Sequence, residues 1–421
     1  MLRSSCIRSA FVALLAISSA AETEKANSEW GLPPGLPNAE SEEVQRIREL
    51  IRTEEYEAAI ELAAAQVEEI LGRTHQYDHE LVAPLTLLGD GFHAMQEFSL
   101  ALESYLQARQ LTRIANGLNS LDQVNLLYRE ASTLYAMNRV DDANTLHERA
   151  FTVFREQFGN QSPELIPGMQ RLAYWYLSTG NIFAARSVYR GCVALAEESV
   201  GTGSRPVIDC LKGLARTYRM ERWSRSVRRV VDHRPPTRNK RERRERFKTT
   251  INDYKPGERA LLDVVRMLLD QKAPDLDELA AAKLELADWY LLFEDWKRAF
   301  VIYRNVLKTH ASADSNSFVK QELSAPKLLH VPYPKEPAPE RLEDYARQTM
   351  ARVEFEVSVN RAGMVSNIAL VAVEPASLDE RRYQTSSRYA RFRPAFEEGV
   401  PVAVDAVPLI YEFLYLKPRN E

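Results

Sequence analysis

The stretch that decides the fold is 172-LAYWYLSTGNIFAARSVY-189. It contains a small residue, Ala173, an aromatic residue three positions later, Tyr176, and a second small residue, Ala185. The polar segment 178–181 between them is typical of a turn that joins two helices. Small residues in this arrangement let two helices approach closely, and the aromatic side chain fills the space beside them. The stretch therefore predicts a helical hairpin.

This hairpin pattern recurs with a period of 42 residues. Its small residues, each 42 positions after the last, are Gly89, Ala131, Ala173 and Ala215. A fixed period of this kind indicates a repeat array in which each unit packs on its neighbours. The next small residue, Ala287, follows Ala215 after 72 positions, which is 42 plus 30, so the sequence predicts one insertion of about 30 residues at 222–253. We expect the array to occupy 42–310.

The columns of the repeat, for instance Ala173, Tyr176 and Ala185, resemble those of the tetratricopeptide repeat family. The long period is similar to that of kinesin light chains. The chain departs from the family at Ile47, where a small residue is usual, and it lacks the proline at the hairpin end. The resemblance implies a mainly α fold, an α-solenoid whose concave groove holds segments of other proteins.

Counting from the small residue of each unit predicts which first-helix side chains face this groove. They are Asp90, His93, Tyr128, Ser132, Gln170, Tyr174, Lys212, Arg216 and Arg219. The set becomes basic toward its end, which favours a partner segment with an acidic end. The alternative, that these are polar side chains on a solvated face without a function, remains open at this point.

The predicted insertion has an unusual composition, with twelve Lys or Arg and three acidic residues between Arg222 and Lys248. One interpretation is an arm that binds an anionic surface, such as lipid head groups or a cell-wall polymer. The other is a solvated loop, since blocks of like charge are usually disordered. The residues that would contact an anionic surface are Arg234, Arg238, Lys240, Arg241, Arg243, Arg244, Arg246 and Lys248.

The amino-terminal residues 1–21 resemble a secretory signal peptide. Arg3 and Arg8 precede a short apolar run, which ends in small residues. The run is too short to span a bilayer, which takes about 20 residues, and no later segment is long and apolar enough. We therefore expect an exported, periplasmic protein. The net charge of -4 and the pI near 6.1 give the whole chain no nucleic-acid-binding signature.

Two cysteines, Cys192 and Cys210, follow the predicted signal peptide. They fall on neighbouring helices that run antiparallel around a glycine-containing loop, so their thiols can face each other. An oxidising compartment would let such a disulfide persist. Two buried thiols that serve as small core residues are the alternative, and spacing alone does not separate the two.

The last hundred residues have a different periodicity. A proline-rich segment, 324–339, predicts an extended linker. Beyond it, Val353, Phe355, Val357 and Val359 alternate with polar residues, which predicts a strand with one buried face. A second strand at 368–373, a helix at 378–390 and a final strand at 402–413 complete a β-β-α-β order.

Residues 340–416 resemble the carboxyl-terminal domain of TonB energy transducers. The resemblance rests on Tyr333-Pro334, on the strand at 353–357 leading into Gly363, on 391-RFRPA-395 and on 399-GVPV-402 before Phe413. Arg391 stands where that family usually has an aromatic residue. The resemblance implies a small α+β domain whose exposed strand edge pairs with a peptide of an outer-membrane receptor. A structural cap is the alternative.

Nothing in the sequence indicates catalysis. The closest histidine pair, His75 and His79, lacks the intervening glutamate and the third ligand of a zinc site, and no phosphate-binding loop or nucleophile motif occurs. We therefore expect no cofactor and no metal. The sequence predicts a periplasmic protein-binding scaffold linked to a TonB-type envelope or uptake system. The alternative is a protein that binds the envelope surface through its basic insertion.

Overall fold

The computed structural model describes residues 42–223, 254–309, 318–334 and 347–417. The predicted signal peptide lies outside these ranges, as does all of the predicted insertion except Arg222 and Trp223. The chain divides into two compact units. In the described ranges, the amino-terminal unit ends at Gly213 and the carboxyl-terminal unit covers the residues from Leu214 onward.

The amino-terminal unit is a stack of helical hairpins. Its helices are α1 (Glu42–Arg52), α2 (Tyr56–Arg73), α3 (Val82–Ala94), α4 (Phe98–Asn116), α5 (Gln123–Ala136), α6 (Val140–Phe158), α7 (Ile166–Ser178), α8 (Ile182–Ser199) and the first half of α9 (Arg205–Trp223). Helices α1 and α2, α3 and α4, α5 and α6, and α7 and α8 pack as pairs, and each pair contacts the next. The predicted mainly helical repeat fold is confirmed.

The period of 42 residues is also present in the backbone of the hairpin turns. One residue in each turn has a positive φ, and these residues are Glu54 (63°), Gln96 (65°), Asn138 (59°) and Gly180 (81°). The amide after Asn138, for example, donates to the Leu134 carbonyl at 2.8 Å. A left-handed residue of this kind ends a helix and satisfies its last carbonyls. The turn is therefore conserved in geometry although only one of the four residues is a glycine.

Small residues place the paired helices in close contact. The backbone of Gly89 lies against the ring of Tyr105, so that an added Cβ would overlap the ring. Ala131 and Ala173 are fully buried at the same position of their hairpins. Ile47, which departs from the small-residue column, is also fully buried, and it packs with Ala59 and Leu87.

The carboxyl-terminal unit joins helices to a set of strands. Its helices are α10 (Lys255–Leu269), α11 (Leu276–Leu292), α12 (Trp296–Thr309), α13 (Phe318–Ser324) and α14 (Arg381–Ser387). Its strands are β1 (Lys327–His330), β2 (Gln348–Val359), β3 (Val365–Glu374), β4 (Arg391–Arg393), β5 (Ala395–Glu397), β6 (Val400–Val402) and β7 (Val404–Leu416). The three longest strands form an antiparallel sheet in the order β3-β2-β7.

The segment predicted as a linker, 324–339, contains a strand. Strand β1 pairs antiparallel with β4, with Lys327 opposite Arg393 and Leu328 opposite Phe392. This part of the segment is therefore held in a sheet rather than extended between domains. Its prolines flank β1 instead of interrupting it, which is why a proline-rich composition is compatible with four paired residues.

The sheet has the single buried face that the alternating pattern predicts. Val353, Phe355 and Val357 of β2 are almost fully buried, and they share a core with Tyr383 of α14 and Tyr411 of β7. The hydroxyl groups of Tyr411 and Ser387 are 3.1 Å apart within this core. The domain therefore has a hydrophobic core of its own, closed by one short helix.

Candidate protein-binding surface

A polar constellation of three side chains lies where one hairpin of the amino-terminal unit meets the next. Asp90 follows the small residue of α3, and its carboxylate accepts a hydrogen bond of 2.8 Å from the hydroxyl of Tyr105. Arg129, on the first helix of the following hairpin, donates to both carboxylate oxygens at 2.8 and 3.2 Å. This bidentate ion pair holds the two neighbouring hairpins in a fixed orientation.

The environment of this first constellation is half-buried. The side chain of Asp90 is 22% exposed and that of Arg129 is 38% exposed. Burial and the adjacent Asp90 carboxylate raise the pKa of Tyr105 far above its usual range, so Tyr105 stays a hydrogen-bond donor at any ordinary pH. Asp90 was predicted to face a groove, and the structure shows that it links two hairpins.

The second constellation lacks the carboxylate. At the positions that follow by 42, Ser132 replaces the aspartate, His147 replaces the tyrosine and Arg171 replaces the arginine. The guanidinium carbon of Arg171 lies 3.5 Å from the centre of the Tyr128 ring. Within the described ranges, Arg171 forms no ion pair with a carboxylate. Among the residues that the structure describes, the face of an aromatic ring takes the place of a carboxylate partner.

His147 is the buried member of this second constellation. Its ring stacks on that of Trp175 with centroids 4.1 Å apart, and its Nδ1 has no hydrogen-bond partner among the residues that the structure describes. Burial lowers the pKa of His147 to about 3, and the positive charge of Arg171 acts in the same direction. The imidazole is therefore neutral at physiological pH.

The third constellation is largely apolar. Tyr174 and Tyr189 stand at the positions of Asp90 and Tyr105, and Gly213 stands at the position of Arg129. A Cβ on Gly213 would overlap the ring of Tyr189. The tyrosine ring therefore occupies the space that an arginine side chain takes at the two preceding positions.

The fourth constellation is complete, and a strand contributes its arginine. In the carboxyl-terminal unit, Asp288 of α11 accepts a hydrogen bond of 2.6 Å from Tyr303 of α12. Arg393 of β4 donates to the two Asp288 oxygens at 2.9 and 2.7 Å, and to a Glu322 carboxylate oxygen at 2.9 Å. Arg393 takes the role that Arg129, on a following hairpin, has for Asp90.

The structure separates the predicted groove residues into several groups. Tyr128 and Gln170 are corrected to core positions, since they are only 4% and 6% exposed. Each lies one turn before the small residue of its helix, and Tyr128 packs against His147 there. Ser132 is exposed on α5, and His93 Nδ1 lies 2.9 Å from the Thr133 hydroxyl.

The remaining predicted groove residues are partly exposed. Tyr174 lies on α7, and Lys212, Arg216 and Arg219 lie on α9, where the boundary between the two units falls. In the carboxyl-terminal unit, Arg216 and Arg219 line a small cavity together with Leu261, Glu285 and Trp289.

The anionic-surface residues predicted between 234 and 248 lie outside the described ranges. Arg222, at the start of the predicted insertion, pairs with Glu294 at 3.4 Å and lies over the ring of Phe293. A disulfide joins Cys192 of α8 to Cys210 of α9, with their Cα atoms 5.9 Å apart. This is one of the two arrangements that the sequence left open.

The residues that the structure describes contain no group of three or more His, Cys, Asp or Glu side chains that could hold a metal ion. They also contain no helix with the length and apolar composition that crossing a bilayer requires.

The arginines of the constellations were not predicted from the sequence. Arg129 and Arg171 are 42 positions apart and lie two residues before a small residue, and Asp90 and Asp288 both directly follow one. Reading these polar columns beside the apolar ones would have predicted the Asp90–Arg129 pair. No such signal existed for Arg393, because a strand has no position in the repeat.

The fold and these constellations define a helical-repeat protein whose last hairpin is joined to a small α+β domain. No protein-family model matches the sequence, and neither does any curated protein. Several solved structures to which it is similar are described as TPR-like repeat proteins. One is a kinesin light chain from Podosopora anserina with nearly identical TPR-like repeats, at 15% identity and a TM-score of 0.41, covering 55% of this chain and 96% of that one.

Two further solved structures are similar to this chain. BtubC (BKLC) from P. vanneervenii has 15% identity and a TM-score of 0.42, covering 68% of this chain and 98% of that one. A Rap protein complexed with competence and sporulation factor has 10% identity and a TM-score of 0.33, covering 67% of this chain and 79% of that one.

Proposed function

We propose that this chain is a non-catalytic scaffold of the periplasm that binds one protein along its hairpin array and a second protein at its carboxyl-terminal domain. The observation that carries the proposal is the row of first helices in the amino-terminal unit. Helices α1, α3 and α5 contact one another in sequence although each belongs to a different hairpin. Stacked first helices of this kind form the extended surface that repeat proteins use for binding.

The side chains on this row suit an extended protein segment. Asp90 and His93 of α3, Ser132 of α5 and Tyr174 of α7 are all at least partly exposed. They offer hydrogen-bond donors, acceptors and one aromatic surface along successive hairpins. A partner segment that lies across the hairpins would meet each of these groups in turn.

The carboxyl-terminal domain offers a different kind of surface. Strand β3 is an edge of the sheet, and its Leu370 and Val371 are 45% and 53% exposed. The resemblance of this domain to TonB carboxyl-terminal domains supports strand addition at an exposed edge as its mode of binding. This would link the scaffold to a TonB-type envelope or uptake system.

Two features support the periplasmic location. Residues 1–21 have the order of a signal peptide, with basic, apolar and small residues in turn. The disulfide between Cys192 and Cys210 belongs to the kind that persists in oxidising compartments.

Site-specific photo-crosslinking in intact cells tests the proposal. A photoreactive amino acid would replace Ser132 on the first-helix row, Leu370 on the strand edge, or Gln107, an exposed residue on the second helix α4 as the control. We expect Ser132 and Leu370 to capture different proteins and Gln107 to capture neither. Capture of the same proteins at all three positions, or at none, would contradict the scaffold function.

A further inference from the structure

The second constellation differs from the complete ones at two positions, since Ser132 stands in place of the aspartate and His147 in place of the tyrosine. Asp90 and Asp288 each receive a tyrosine hydroxyl and two donors of an arginine. The corresponding junction between the hairpins α5-α6 and α7-α8 keeps an arginine, Arg171, and a nitrogen base, His147, but has Ser132 in place of the acid. The missing group is a carboxylate.

Both remaining members of this junction lack the contacts that their counterparts make. Burial lowers the pKa of Arg171, and the neighbouring cation Arg129 acts in the same direction. His147 is only 8% exposed, and its Nδ1 has no partner within the described ranges. A buried polar atom without a hydrogen bond is costly, so a group that satisfied it would bind favourably.

Two residues of α5 beside this junction are exposed. Ser132 is exposed on α5, and Tyr135, one helical turn later, is 46% exposed with its ring edge-on to Trp175 at 5.4 Å. A side chain that came in beside Ser132 would meet the exposed ring of Tyr135, and Trp175, which packs on that ring, lies one helical turn after Arg171 on α7. Such a partly desolvated guanidinium favours a carboxylate over any neutral group, because charge-assisted hydrogen bonds are roughly twice as strong as neutral ones.

We propose that this junction binds the carboxylate of an aspartate or glutamate side chain from an acidic segment of a partner protein, at the place that Asp90 and Asp288 occupy in the complete constellations. The carboxylate accepts the guanidinium hydrogen bonds of Arg171, which then turns from the ring of Tyr128 to the ligand. The proposal rests on the protein-binding function above and specifies the chemistry of the bound segment.

The test places the missing acid on the protein itself. Ser132→Asp supplies an internal carboxylate that competes with the ligand, and Ser132→Asn is a neutral control of nearly the same size. The probe is a short peptide of alternating glutamate and alanine carrying a neutral fluorophore, compared with the same peptide made with glutamine, and binding to the full chain is followed by fluorescence anisotropy.

We expect the wild-type chain to bind the glutamate peptide about tenfold more tightly than the glutamine peptide. Ser132→Asp removes this preference and raises the urea midpoint of the amino-terminal unit, whereas Ser132→Asn does neither. Arg171→Gln also removes the preference, without the gain in midpoint. The preference falls as salt is added, since the junction is partly exposed.

Two results would overturn the proposal. One is equal binding of the glutamate and glutamine peptides by the wild-type chain. The other is an unchanged preference in Ser132→Asp. Either result leaves the crosslinking experiment at Ser132 as a separate measure of the scaffold function, because it records any partner whatever its charge. If Ser132 is crosslinked to a partner but the chain shows no preference for the glutamate peptide, the scaffold function is kept and the acid-binding site is rejected.

Discussion

Replacing Arg393 by methionine should release strand β4, which pairs with β1, from the last hairpin. The Arg393 side chain is 4% exposed and that of Asp288 is 10% exposed, so the pair is almost completely desolvated. Methionine keeps much of the apolar length but leaves the Asp288 charge buried, with Tyr303 as its one remaining side-chain donor in the described ranges. Removing one partner of a buried ion pair costs about 3 to 5 kcal/mol, which corresponds to an opening frequency roughly a hundred to several thousand times higher.

Hydrogen exchange followed by mass spectrometry measures this opening locally. We expect peptides from 391–416 to exchange faster in Arg393→Met by that factor, while peptides from α3 to α6 are unchanged. Arg129→Met is the matched control, because it breaks the same kind of pair where the side chains are 38% and 22% exposed. Its effect should be about 1 to 2 kcal/mol and should appear in the amino-terminal unit. Less than about a fivefold change at 391–416 in Arg393→Met would refute the reasoning, since such a pair would contribute under about 1 kcal/mol.

Three further outcomes are expected. The pKa of His147 is lowered from 6.5 to about 3, so its contribution to stability is fully present above pH 6.5 and is lost as the pH falls. Between pH 8 and pH 5, urea titrations should show the amino-terminal unit losing about 2 kcal/mol of unfolding free energy. His147→Phe should reduce this loss. Gly363 has a φ of 74° and a Cβ there would overlap the Phe392 carbonyl oxygen, so Gly363→Ala should cost about 2 to 4 kcal/mol in thermal unfolding of the carboxyl-terminal unit, and a wild-type midpoint would contradict this. Cys192 and Cys210 are 18 residues apart, so reducing their disulfide should cost about 3 kcal/mol, measured as a shift of the urea midpoint with and without reductant.

The hairpins could be predicted from the sequence because helix packing requires small residues at a fixed spacing along the chain. Gly89, Ala131 and Ala173 must be small for a partner helix to approach, and this requirement recurs in every unit. The strands could be predicted for a similar reason, since Val353, Phe355 and Val357 alternate with polar residues on a sheet with one buried face.

The polar contacts were harder to predict. Asp288 and Arg393 are 105 positions apart, and one lies on a helix while the other lies on a strand, so no shared period connects them. Strand β1 was not predicted because the prolines around it made the segment look like a linker. Tyr128 and Gln170 were assigned to the groove by counting along a helix, and the count did not show that the face one turn before the small residue is buried. Tyr128 packs in a core with Phe154 and Leu165, and the Gln170 amide nitrogen lies 3.6 Å from the Cys210 sulfur.

The pairing of Arg393 with Asp288 bears on how such a chain can change its length. An open stack of hairpins ends in an unsatisfied surface, and repeat proteins usually need a modified last unit to cover it. Here that requirement is met by a module of different architecture, which recognises the last hairpin through a carboxylate and a tyrosine that an internal hairpin also carries. Duplication or deletion of a 42-residue block would leave the same recognition elements at the end. The number of hairpins can therefore change in evolution or by protein engineering while the same carboxyl-terminal domain covers the last hairpin.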